Sequence, residues 1–90
     1  MNPWKVTMHC RSNDGGTVPD KENRRIILDP QRTMEIMVFG GSGFSAVITL
    51  PATSALAAIV EGIVAINREL VLSTLPAWPA VEICAEPLEI

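Results

Sequence analysis

Residues 4–11 divide by polarity at every second position. Trp4, Val6, Met8 and Cys10 are apolar, while Lys5, Thr7, His9 and Arg11 are polar. Period two marks a strand with one buried face. Ser12-Asn13-Asp14-Gly15-Gly16 follows, and these residue types tolerate positive φ, so the strand is expected to end there. Residues 12–24 are polar and rich in turn formers, including Pro19-Asp20. A flexible polar loop is expected near 12–24.

Apolar positions return at Arg25-Ile26-Ile27-Leu28, a short strand candidate. Asp29-Pro30-Gln31-Arg32 places proline second in a turn with aspartate before it. Thr33 to Phe39 and Phe44 to Leu50 read as two longer strands joined by Gly40-Gly41-Ser42-Gly43. Met34, Ile36 and Val38 are expected on one face, and Phe39 and Phe44 to pair across the hairpin.

Pro51 is expected to close that strand, and Thr53 or Ser54 to cap a helix. From Ser54 to Leu72 the apolar period becomes 3.6. Ile59, Ile63, Ile66 and Leu70, with Leu56, Val60, Val64 and Val71, occupy a sector of roughly 160° on the wheel. That sector is the expected buried face, and Ala57, Ala58, Glu61, Gly62, Ala65, Arg68 and Glu69 are expected outside. Pro76 and Pro79 exclude regular helix beyond Leu72. Ala80 to Ala85 alternates again, and Pro87 limits that strand or places it on an edge. The expected fold is α+β: a mostly antiparallel sheet of four or five strands packed on one long amphipathic helix, in the order β-β-β-β-α-β.

Composition narrows the function classes. Ninety residues suit one compact domain, and 48% hydrophobic residues with mean hydropathy +0.28 are too apolar for a disordered chain. The net charge of −3 is unevenly placed. Residues 1–32 hold six basic and four acidic side chains, net +2, whereas residues 33–90 set Arg68 alone against six glutamates, net −5. An acidic C-terminal half disfavours nucleic acid, whose phosphates demand positive charge. The apolar stretch Ala55 to Val60 is interrupted by Glu61, so no membrane-spanning segment is expected. MNPWKVTMHC has no secretory pattern, so a cytoplasmic protein with Cys10 and Cys84 reduced is expected.

The chemical motifs are sparse. The Gly40–Gly43 run lacks the lysine of a phosphate loop and precedes a strand, so a hairpin is its simpler reading. Gly41, Ser42 and Gly43, with Arg24 and Arg25, remain the candidates for an anion site. His9, Cys10 and Cys84 gather only if the first and last strands pair, and neighbours on a strand point to opposite faces. No metal, cofactor or catalytic constellation is therefore expected. Trp78, on a connection stiffened by two prolines, is a candidate interface anchor whose simpler reading is a lid folded on the core. Phe39, Phe44 and Met37 on the hairpin, and Glu82 and Glu86 near the end, complete the candidate association patch. The expected function is a non-enzymatic protein-interaction module, such as an inhibitor, immunity protein or accessory subunit, binding another protein or itself as a homodimer. The alternative is a regulatory domain that binds a small ligand or anion.

Overall fold

The computed structural model describes residues 2–13, 15, 18–72 and 78–88, with residues 18–22 and 39–41 as backbone alone. The elements are β1 (Asn2–Arg11), β2 (Val18–Asp29), β3 (Arg32–Gly41), β4 (Gly43–Ala52), α1 (Ala55–Leu72) and β5 (Ala80–Pro87). The strands form one five-stranded antiparallel sheet in the order β2-β3-β4-β1-β5, with α1 on one face, an α+β fold in the expected element order.

β1 is the strand that closes the architecture. It pairs with β4 through Val6↔Ile48 and with β5 through Val6↔Ala85. β4 and β5 are both antiparallel to β1, so they run parallel to each other, and α1 is the crossover between them. The alternation of β1 sends Val6, Met8 and Cys10 to the helix side, where Met34, Ile36, Val38, Phe44, Ala46, Ile48 and Leu50 meet them as core.

β2 corrects the loop expected near 12–24, because the strand already begins at Val18. It lies at the edge of the sheet with no second neighbour among the described residues, so a polar run can be a strand there. Pro19 falls where the register with β3 shifts, between Val18↔Gly41 and Lys21↔Phe39, so its missing N–H interrupts no regular ladder. The β2–β3 turn is the expected one. Asp29 accepts hydrogen bonds from Gln31 N at 2.8 Å and Arg32 Nε at 2.6 Å, which hold its carboxyl below the usual range, the Arg32 contact most strongly. Pro30 fixes φ near −65°, which excludes the mirror-image turns that two-residue hairpins favour. A register shift between Ile27 and Asp29 accommodates the reversal instead.

On β4, Phe44 registers with Val38, which corrects the expected Phe39 pairing. The strand continues past Pro51 to Ala52. Ser54 then caps α1: its Oγ accepts from Ala57 N at 3.1 Å and its carbonyl from Ala58 N at 3.0 Å.

The helix corrects the expected buried face. Its inward row is Ala58, Gly62, Ile66 and Leu70, a strict i, i+4 series. Ile66 and Leu70 were expected there; Ala58 and Gly62 were expected outside. Ile59 and Ile63 are half-buried on a flank, and Leu56, Val60, Val64 and Val71 are exposed. Close packing explains the rotation. A Cβ on Gly62 would stand 3.0 Å from Val6 Cγ1, so α1 rests on β1 at a distance only small residues allow.

Candidate interaction surface

The helix places two different surfaces at the disposal of a partner. One is the bare face of the sheet, and the other is the outer side of α1. Lys5, Thr7 and His9 of β1 reach the bare face, opposite Glu86, Cys84 and Glu82 of β5. Ser45, Val47 and Thr49 of β4 and Glu35 and Met37 of β3 share it. This face is polar and internally compensated. Lys5 Nζ is 3.5 Å from Glu86 Oε1, and Arg25 registers with Glu35. A shallow groove of about 390 Å³ between Lys5, Arg25, Thr33, Glu35 and Thr49 sets two cations against the Glu35 carboxylate, and Lys5 is also held by Glu86 at its rim.

One row on that face crosses three strands: Ser45 of β4, His9 of β1 and Glu82 of β5. His9 Nδ1 and Ser45 Oγ are hydrogen-bonded. A serine beside a histidine is the start of a nucleophilic arrangement. Ser45 is only 1% exposed, however, so it presents almost no surface to the shallow cavity of about 310 Å³ that it lines with His9 and Glu82. The contact satisfies a hydroxyl that would otherwise be buried without a partner. Glu82 instead accepts from the Cys84 thiol at 3.3 Å. That hydrogen bond, with a smaller contribution from desolvation and from the charges of Glu82 and Glu86, raises the Cys84 pKa. Cys10 lies on the other face, buried, and both thiols are free. Among the described residues no group of three metal-ligating side chains gathers.

The residues singled out in the sequence scatter. Trp78 lies over the core: its ring stacks on Phe44 with centroids 5.7 Å apart and planes 25° apart. Phe44 is 1% exposed and heads no outward patch, whereas Trp78 is partly buried against the core and keeps part of its ring at the surface. Met37 is half-buried on the bare face, and Glu82 and Glu86 are exposed on β5. The Phe39 side chain, the Gly41 environment and residues 73–77 lie outside the described residues. Ser42 is the exposed tip of the β3–β4 turn. Arg24 and Arg25 register with Ile36 and Glu35, and roughly 16 Å of strand separates Ile36 from Gly41. Arg24 and Arg25 also alternate to opposite faces, so this geometry assembles no common site from the two arginines and the turn.

The outer side of α1 is different in kind. Its i, i+4 row is Leu56, Val60, Val64, Arg68 and Leu72, exposed throughout. Leu56 is 72%, Val60 55%, Val64 65% and Leu72 68% exposed, and Val71 beside them 75%. With the half-buried Ile59 and Ile63, the aliphatic members of this set make a largely apolar helix face turned to solvent, interrupted by Arg68 and by the exposed Asn67. The sequence contains the signal that points to it. Small residues at 58 and 62 mark the contact side of a closely packed helix, and the bulky row follows on the opposite side.

Comparison with protein-family models, with curated proteins and with solved structures gives no match. The class of the chain accordingly rests on its fold: a small one-helix α+β domain. Among the described residues no helix is long and apolar enough to cross a membrane.

Proposed function

We propose that this chain is a protein-interaction module that docks through the outer face of α1. The observation that carries the reading is the exposure of Leu56, Val60, Val64, Val71 and Leu72 on one helix. Roughly 600 Å² of apolar surface is involved, at the top of what a monomer leaves in one patch. Its burial by a partner is worth roughly 25 cal/mol per Å², before the cost of association is subtracted. The bare sheet face competes poorly, because its cations already have carboxylates beside them.

The test is a photo-crosslinking residue placed at Val60, with a control at Thr7 on the bare face, in living cells that express the chain. A discrete protein adduct from position 60 and none from position 7 is the expected result. No adduct from position 60, or adducts from position 7 alone, overturns the reading.

A further inference from the structure

We infer that the occupant of the outer face of α1 is a second copy of this chain, laid antiparallel across it about a two-fold axis at Val64. The inference rests on the interaction-module reading and names its partner.

The charges on the helix select this arrangement. Glu61 and Arg68 are both exposed, and neither makes an ion pair with a described residue in the chain. They stand two turns apart on the same flank, near equal distances either side of Val64. Reversing the helix on itself about Val64 sets Glu61 of one copy beside Arg68 of the other, twice. A parallel pair, whose two-fold runs along the helices, would carry the two charged flanks to opposite sides of the contact and bring no Glu61 beside an Arg68. Isologous contact requires this kind of self-complementarity.

The apolar positions follow the same axis. Val64 meets Val64, Leu56 of one copy comes level with Leu72 and next to Val71 of the other, and Val60 comes level with Arg68. The stem of Arg68 lies along the valine row while its guanidinium reaches the carboxylate. Covering the patch on both copies removes roughly 1,200 Å² from water, the lower bound for a specific interface. A contact of this size belongs to the weak, reversible class of association.

Sedimentation equilibrium on the full chain, from low to several hundred micromolar, tests the proposal together with far-UV circular dichroism of each variant. Wild type is expected to move from monomer to dimer. Val64→Glu, which puts two like charges on the axis, should weaken association about 100-fold with the helix signal intact. Glu61→Arg and Arg68→Glu should each weaken it about 10-fold, and the double reversal should recover most of the loss. A wild type that stays monomeric overturns the inference. So does a dimer indifferent to Val64→Glu, or charge reversals that do not rescue one another. The crosslinking at Val60 keeps the two readings separate. An adduct at twice the chain mass is self-association, whereas an adduct of another mass supports the module and rejects the second copy as its partner.

Discussion

Gly62 of α1 and Val6 of β1 touch without a side chain between them. A methyl group on Gly62 would stand 3.0 Å from Val6 Cγ1 and 3.1 Å from Cβ and Cγ2. Val6 is fully buried and β-branched, so it has no free rotamer to turn into. This contact sets the height of the helix above the sheet and decides which side of α1 faces water.

Gly62→Ala is expected to destabilise the domain. Alanine gains about 1 kcal/mol in helix propensity over glycine. Overpacking a filled core costs about 1–3 kcal/mol, so the clash outweighs the gain in most of that range. A lower urea midpoint at unchanged slope would register it. In a Val6→Ala background the same substitution should turn stabilising, because the added methyl enters vacated space. An equal effect in both backgrounds would contradict the close approach.

Trp78→Ala should lower stability by about 1–3 kcal/mol, less than a fully buried tryptophan costs because the ring is half-exposed. The lost stack on Phe44 is the cause. Thermal unfolding followed by far-UV circular dichroism checks it. A midpoint that does not move would place the ring outside the core packing.

Cys84 should alkylate slowly for an exposed thiol. Its proton is held by the Glu82 carboxylate, and the nearby charges disfavour the thiolate that reacts. Glu82→Gln removes the charge, lowers the Cys84 pKa and should speed iodoacetamide labelling at about pH 8. The rate read against pH by intact mass gives the answer. Cys10 should stay unlabelled until the chain unfolds.

Burial raises the pKa of Cys10, so the folded state keeps this proton longer than the unfolded state does. The resulting stability is fully present below the unfolded thiol pKa of about 8.5 and is lost as pH rises through the higher folded value. In a Cys84→Ser background, urea midpoints should fall from neutral pH to about pH 9.5. Adding Cys10→Val should flatten that fall. A slope identical with and without the Cys10 thiol would show that other groups set it.

Much of the secondary structure is legible because its signals are local. β1 alternates since one face meets the core and the other does not. The β2–β3 turn follows from Asp29 and Pro30, and the start of α1 from the Ser54 hydroxyl. The early start of β2 was hidden, because an edge strand needs neither apolar alternation nor a second ladder.

The sequence by itself determined the α+β class, the element order and the separation of helix from strands, each of which depends on periodicity and turn chemistry within a few residues. Only the tertiary structure decided that β1 sits between β4 and β5, since strand pairing is a contact between distant segments and leaves no local pattern. It alone brought Trp78 onto Phe44 and separated Arg24 and Arg25 from the glycine turn. It also decided the rotation of α1. Aliphatic side chains occupy nearly half its wheel, and burying either side removes apolar area from water. Area could not choose between them; the close contact of Gly62 with Val6 did, turning Val60 and Val64 outward.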